Sequence, residues 1–327
     1  MAVDRAVVTG ATGFIGWHLC ERLRDAGWSV RAVVRPGTAK PVPPGVERHE
    51  SALVASQLGS AFDSTAVVVH VAGTIWAPNE ATFFRVNAGA TREVAQAASQ
   101  AGARLVYVSS QAAAGPSGPD TLRRETDVPQ PCSAYGRSKL AGELAIRQVH
   151  DLRWTILRPV AVYGPMDRNF LAVFRLARAG IFPVPCSLAT PYMLIHVSDL
   201  VAAIECAIGS AAAVHETMFI GHPSVHSTES FLEAVAAAVG RPCRPFVMPR
   251  LLLRALAAAG TVAMHLGRPP VLDHSRLREL TAGRFICDVG RARAVLGFEA
   301  AIDLPEGFAR TAAWYREQGL LRPGPQT

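Results

Sequence analysis

Apolar residues in this chain fall into short, nearly unbroken runs. Arg5-Ala6-Val7-Val8 comes first, and Trp28-Ser29-Val30-Arg31-Ala32-Val33-Val34-Arg35 follows. Ala66-Val67-Val68-Val69-His70-Val71-Ala72-Gly73, Arg104-Leu105-Val106-Tyr107-Val108 and Trp154-Thr155-Ile156-Leu157-Arg158-Pro159 continue the series. Such β-branched runs, bounded by Gly and Pro, read as strands with both faces covered. Val46-Glu47-Arg48-His49-Glu50 is a weaker strand, and Met218-Phe219-Ile220-Gly221 looks like a late strand returning to the main sheet. Helical stretches lie between them: Trp17 to Leu23, a long helix opening at Phe83 to Thr91, and Tyr135 to Ile146. Strand alternating with helix predicts an α/β chain with a parallel sheet.

Beyond Pro165 the pattern changes. Proline-broken loops flank Leu194 to Leu200, and from about Pro223 the chain reads as helical and rich in Ala and Leu. Arg250 to Leu266 is the most apolar stretch, but Arg254 interrupts it and it is short for a membrane span. It reads as a helix lining a substrate cleft or packed in the core, with a membrane-surface helix as the alternative. The predicted division is a larger unit over 1–164, rejoined by the strand near 217–221, and an interleaved smaller part over 165–327.

The turn after the first strand changes the picture. Thr9-Gly10-Ala11-Thr12-Gly13-Phe14-Ile15-Gly16 places three glycines at Gly-x-x-Gly-x-x-Gly spacing between strand and helix. The first glycine permits a tight turn, the second lets backbone approach a pyrophosphate, and the third lets helix pack closely on strand. Free N–H groups and the helix dipole then attract phosphates. Gly10, Gly13, Phe14, Ile15 and Gly16 are therefore candidate dinucleotide contacts. Small residues Ala72 and Gly73, at the end of a buried strand, let a cofactor lie close.

Composition narrows the classes. The chain has 327 residues, half of them hydrophobic, and a net charge of +7. No basic cluster is interleaved with aromatics, which argues against a nucleic-acid partner. The positive balance suits an anionic small molecule. Six cysteines, Cys20, Cys132, Cys186, Cys206, Cys243 and Cys287, form no CxxC and no zinc spacing. Scattered thiols, and no signal-peptide pattern at the start, lead to the expectation of a cytoplasmic protein without a metal site or a transmembrane span. Only two of the 33 basic residues are lysines, Lys40 and Lys139. A position that keeps lysine in such a chain points to a need for a compact ammonium.

Tyr135 and Lys139 stand at i and i+4, on one helix face. A phenol titrates near 10 in water, and a neighbouring ammonium favours its phenolate. Such a tyrosine can take or give the proton of a substrate hydroxyl.

These motifs together resemble the extended short-chain dehydrogenase/reductase family, which includes nucleotide-sugar epimerases, dehydratases, 3β-hydroxysteroid dehydrogenases and dihydroflavonol reductases. The octet Thr9–Gly16 resembles the family's opening. Phe83 to Thr91 resembles its Asn-Val-x-Gly-Thr, with Asn87 as the ordering residue. Ser110, 25 residues before Tyr135, resembles its Ser…Tyr-x-x-x-Lys order. Arg158 to Pro165 resembles its Arg-Pro-x-x-Val-Tyr-Gly-Pro, placing Pro159 and Val160 against the cofactor. His196 to Asp199 resembles its His-Val-x-Asp. Where the family carries Gly-Asp-Leu this chain reads Ser51-Ala52-Leu53, so the adenine-contacting aspartate is absent.

The resemblance implies a doubly wound Rossmann sheet with a smaller, mostly helical C-terminal substrate-binding part. It also implies a nicotinamide dinucleotide, a catalytic set of Ser110, Tyr135 and Lys139, and a family habit of pairing tyrosine helices into homodimers. Lys139 would also hydrogen-bond the nicotinamide ribose. NADP is expected over NAD, because Arg35 follows the second strand with no acid before Glu47, and Lys40 lies close behind. The loop Ser110 to Pro116 and the apolar late helix look closer to the 3β-hydroxysteroid dehydrogenase and dihydroflavonol reductase branch, and so to a lipophilic alcohol or ketone. A nucleotide-sugar epimerase is the alternative. Ser110-Gln111-Ala112 argues against a dehydratase, which usually carries Thr-Asp-Glu there. A non-catalytic dinucleotide sensor is a third reading, disfavoured by the intact set.

Overall fold

The computed structural model describes residues 4–184, 187–265 and 272–322; Cys186 and Leu266 lie outside them. A seven-stranded parallel sheet forms the centre, built from β1 (Arg5–Thr9), β2 (Ser29–Val34), β3 (Glu47–Glu50), β4 (Val67–His70), β5 (Arg104–Val108), β6 (Trp154–Pro159) and β7 (Glu216–Ile220). Their spatial order is β7-β6-β5-β4-β1-β2-β3. The chain reverses direction across the sheet between β1 and β4, and that switch point is where open α/β sheets bind ligands.

Alternation along the strands sorts residues between two cores. From β1, Ala6 and Val8 face one layer with Leu19, Val106, Leu157 and Ile204. Val7 faces the other, with Phe62, Val68, Leu105 and Ile146. Both faces are covered, which explains why the strands read as unbroken apolar runs. The late strand returns as expected: Met218 pairs with Leu157 and Ile220 with Pro159. Helix Val197–Gly209 also packs in the first layer, against the first helix, Phe14–Asp25.

A third core gathers Tyr163, Phe174, Phe231, Phe308 and Tyr315. Its rings meet edge to face, with Tyr163 and Phe308 4.9 Å apart at 82° and Phe231 and Phe308 5.0 Å apart at 88°. Edge-to-face geometry sets the positive ring edge against the negative ring face. Helices Leu171–Arg178, Thr228–Val239 and Leu304–Glu317 carry four of these five rings.

Two expectations need correction. The stretch after Pro223 is not uniformly helical: His226–Ser227 pairs with Pro191–Tyr192, and Arg244–Val247 pairs in parallel with Ile181–Val184. The helix expected at Phe83 is three segments, Glu80–Phe83, a π-helical Phe84–Gly89, and Ala90–Gln100. The Asn87 carbonyl lies within the π turn. Thr91 Oγ1 donates to it at 2.6 Å. Gly142 makes room, since a Cβ there would lie 2.8 Å from the same oxygen.

Candidate active site

The glycine turn sits at the switch point. Gly10 has φ of +75°, and a Cβ there would lie 2.7 Å from the Ala72 nitrogen. A Cβ on Gly16 would lie 2.2 Å from the Gly10 oxygen. Gly10 and Gly16 therefore let the turn close on itself and on the end of β4. A Cβ at Gly13 would meet only the Gly10 oxygen, at 3.2 Å. The first helix, whose opening turn holds Phe14, Ile15 and Gly16, has no side-chain cap and no acidic residue in that turn. Its N-terminus is thus a bare anion-attracting end, and the chain's own residues fit a pyrophosphate.

A directed chain of hydrogen bonds ties this turn to the π turn. The Ala72 N–H donates to Thr9 Oγ1 at 3.3 Å, and Thr9 Oγ1 meets His70 Nδ1 at 2.6 Å. His70 Nε2 meets Thr91 Oγ1 at 3.0 Å, and that hydroxyl proton goes to the Asn87 carbonyl. The donor order requires the proton on Nε2 and leaves Nδ1 to accept from Thr9. Burial, with the charge of Lys139, pushes His70 down to about 3, so the ring stays neutral. His70 thus links the end of β1 to the π turn through its two ring nitrogens. Its only signal in the sequence was a histidine inside an otherwise apolar strand.

Asn87 is fully buried and uses its amide on its neighbours. Oδ1 accepts from the Thr74 nitrogen at 2.7 Å, while Nδ2 donates to the Thr74 carbonyl at 2.9 Å and to Ser138 Oγ at 3.0 Å. It holds the segment after Gly73 against the tyrosine helix, Ala134–Arg147. Gly73 is the exposed member, and a Cβ there would lie 3.1 Å from Asn87 Oδ1 and 3.8 Å from Lys139 Nζ. The opening above Lys139 is therefore kept clear by a missing side chain.

Ser110 lies beyond the end of β5 and caps the short 3-10 turn Gln111–Ala113, accepting from the Ala112 nitrogen at 3.1 Å. Its hydroxyl lies near enough to the Tyr135 phenol to favour the phenolate. Neighbouring Ser109 faces away and donates to Glu143 Oε1 at 2.6 Å. Glu143 is buried and receives both arms of Arg158, at 2.9 and 2.7 Å, locking the tyrosine helix to β6. Pro159 and Val160 follow at the same sheet edge, both buried, with the Val160 nitrogen donating to the Ile220 carbonyl at 2.9 Å.

The electrostatics differ from the sequence expectation. The Tyr135 phenol is pushed up to about 12 by burial, which outweighs the opposing effect of Ser110. Lys139 does not act on it as the expected depressing charge. Its ammonium donates to the Val108 carbonyl at 2.8 Å and lies over the Tyr107 ring at 4.4 Å. Burial brings Lys139 down to about 7, against the favourable charge of Glu143. Tyr135 is thus held protonated at neutral pH, and Lys139 titrates in the physiological range.

Arg35 and Lys40 are exposed beyond β2. Strand pairing brings Glu50 opposite Val34, and its carboxylate accepts from the Gly37 nitrogen at 3.1 Å. Arg48 pairs with Glu50 at 2.9 Å. An acid therefore does stand beside the turn after β2, which linear distance concealed, and Arg48 partners it.

Beside Tyr135 lies a cleft of about 210 Å³, whose lining includes Phe83, Ala134, Arg137, Thr261, Met264 and His274. Helix His274–Thr281 covers this end, with Arg276 over the Trp76 ring at 4.1 Å and Glu279 accepting from Ser133 Oγ. Among the described residues no group of His, Cys, Asp or Glu could hold a metal ion, and no helix is long and apolar enough to cross a membrane.

A parallel sheet, a glycine turn at its switch point and a Ser–Tyr–Lys group on the same edge define a nicotinamide-dependent enzyme of the extended short-chain dehydrogenase/reductase type. The profile of the NAD dependent epimerase/dehydratase family matches residues 6–221, and the chain belongs to that family. It is 33% identical to a ceramide reductase of Caulobacter vibrioides, over 98% of each chain. It is 28% identical to a UDP-glucose 4-epimerase of Mycolicibacterium smegmatis, over 96% of this chain and 99% of the other. The solved structure of MoeE5 with UDP-glucuronic acid and NAD matches with a TM-score of 0.75 and 27% identity, over 96% of this chain and all of that one.

Proposed function

We propose that this protein reduces a ketone on a lipophilic, long-chain substrate, drawing hydride from NADP in its reduced form. The observation that supports the chemistry is the placement of Ser110 just beyond β5, with Tyr135 and Lys139 one turn apart on the helix packed there and Lys139 anchored on the Val108 carbonyl. A tyrosine phenol is protonated at neutral pH and can give the proton that carbonyl reduction demands at the substrate oxygen. Likeness to a ceramide reductase along nearly the whole chain supports the substrate class.

The parts divide as follows. Gly10, Gly13, Phe14, Ile15 and Gly16 would hold the pyrophosphate, with Ala72, Gly73, Asn87, Pro159 and Val160 shaping the sheet edge. Arg35 and Lys40 would take the 2′-phosphate of the adenine ribose. When bound, the dinucleotide supplies the hydride. Ser110 Oγ and Tyr135 Oη orient the substrate carbonyl, and Tyr135 gives it a proton. Lys139 would hold the nicotinamide ribose and favour restoring that proton. Phe83, Ala134 and Met264 give the neighbouring cleft an apolar portion that would suit a lipophilic chain.

Likeness to a UDP-glucose 4-epimerase supports the second reading, in which hydride is returned to the sugar. One experiment separates them. Purified protein is mixed with NADPH or NADH and either a 3-oxo sphingoid amide or UDP-glucose, and absorbance at the nicotinamide band is followed. Loss of absorbance with the lipid ketone alone supports the reductase. No net change with any ketone, together with conversion of UDP-glucose to its 4-epimer, would replace it.

A further inference from the structure

Helix Arg250–His265 is apolar on two opposite faces. Leu253, Ala257 and Gly260 turn inward and are buried, and Thr261 and Met264 continue that side to the cleft beside Tyr135. Leu251, Ala255, Ala258 and Val262 recur at helical spacing on the other side and are exposed. Leu251 is 79% exposed and Val262 62%. The strand pair leading into this helix adds Ile181 at 53%, Phe246 at 51% and Val247 at 55%. Few surfaces leave so many large apolar residues together in water without a partner.

The charge around this face names the partner. From 234 to 272 the sequence holds five arginines and no Asp or Glu. Arg254 borders one edge of the outward face, Arg250 opens the helix on that same side, Arg244 precedes them, and all three are exposed. Among the described residues none of the three forms an ion pair. Arg250 stands in the first turn of its helix, where the dipole disfavours a cation. A second copy docked here about a two-fold axis would bring arginines against arginines. Anionic lipid satisfies both features, with apolar side chains entering the acyl boundary and guanidinium groups meeting phosphate.

We propose that this face seats the protein on a membrane surface containing anionic lipid, with the helix lying in the interface plane. The far side of the same helix lines the cleft beside Tyr135, so docking sets the cleft next to the bilayer. This surface stands on its own observations and does not depend on the ketone reductase reading.

Flotation of the full chain with vesicles tests it, using phosphatidylglycerol mixed into phosphatidylcholine against phosphatidylcholine alone. The protein should float with the mixed vesicles and remain largely behind with the neutral ones. Arg250→Gln/Arg254→Gln should lower partition into mixed vesicles roughly 30-fold. Leu251→Ser/Val262→Ser should lower it by about 10-fold or more. Both variants alter only exposed side chains, and each should keep the native circular dichroism and thermal midpoint. No flotation with mixed vesicles, or flotation that both variants leave unchanged, overturns the proposal. Self-association that Leu251→Ser/Val262→Ser abolishes, without vesicle binding, also overturns it and assigns the face to a second copy. Vesicle binding is read without turnover, so a failure of the ketone assay leaves this result standing.

Discussion

Lys139 Nζ donates to the Val108 carbonyl at 2.8 Å, two residues before Ser110, whose hydroxyl favours the Tyr135 phenolate. The two catalytic candidates of one helix face are therefore set beside successive points at the end of β5. Burial makes them diverge, raising the phenol to about 12 and lowering the ammonium to about 7.

The lysine gives a pH prediction. Below about 7 Lys139 is charged, and above it the free protein loses that charge. An anionic dinucleotide favours the charged form, so binding raises the value and affinity falls with rising pH between the free and bound values. Calorimetric titration with NADPH should show Kd weakening up to roughly 10-fold from pH 6 to pH 9, about one pK unit of linkage. Lys139→Met should bind more weakly at pH 6 and change little across the range. A pH-independent Kd in the native protein would remove the ammonium from cofactor binding.

Tyr135→Phe removes the proton donor and leaves the glycine turn untouched. Turnover should fall by roughly 10²–10⁴-fold, the ordinary worth of a positioned acid or base. NADPH affinity should stay within about twofold by fluorescence titration. Near-native turnover in this variant would sink the assignment.

For cofactor choice, Arg35→Ala should weaken NADPH roughly 10- to 100-fold and NADH little, as expected for lost charge-assisted hydrogen bonds of about 1.5–3 kcal/mol. The pairing of Glu50 with Arg48 sharpens this. Freeing that carboxylate by Arg48→Ala should penalise NADPH more than NADH, since a bare acid repels a 2′-phosphate. Equal or tighter NADH binding by the native protein contradicts the preference.

His70→Leu should destabilise the fold and the site together. It leaves the buried hydroxyls of Thr9 and Thr91 without their ring partner. Each hydroxyl keeps its other hydrogen bond, to the Ala72 nitrogen or the Asn87 carbonyl, so each lost bond costs about 0.5–1.5 kcal/mol. Denaturant titration should show that loss, and residual turnover should drop further than cofactor affinity, because Thr91 loses the ring that orients its hydroxyl toward the Asn87 carbonyl. A variant as stable and as active as the native protein would show that the chain of hydrogen bonds carries no function.

The glycine turn and the Tyr135–Lys139 spacing were legible in sequence because both are local: one strand, one turn, one helix. So were the buried strands, since both faces of the sheet are covered and no polar alternation intervenes. The π turn at Phe84–Gly89 was not, because it depends on Gly142 and Thr91 meeting the Asn87 carbonyl from outside its own hydrogen-bond ladder. Glu50 was hidden for a similar reason, since only the register of β2 on β3 brings it to Gly37. The expected fall in the Tyr135 pKa failed because sequence spacing places an ammonium near the phenol without showing that burial outweighs it and that Val108 holds it.

The most direct test of hydride transfer to a lipid ketone is isotopic. The native protein is incubated with NADPH deuterated on the transferred face of its nicotinamide and a 3-oxo sphingoid amide, and the product is weighed by mass spectrometry. The reductase reading predicts one deuterium on the new carbinol carbon, with Tyr135→Phe forming the same labelled product far more slowly. Absence of label in any alcohol product, or product formed equally well without dinucleotide, would contradict it.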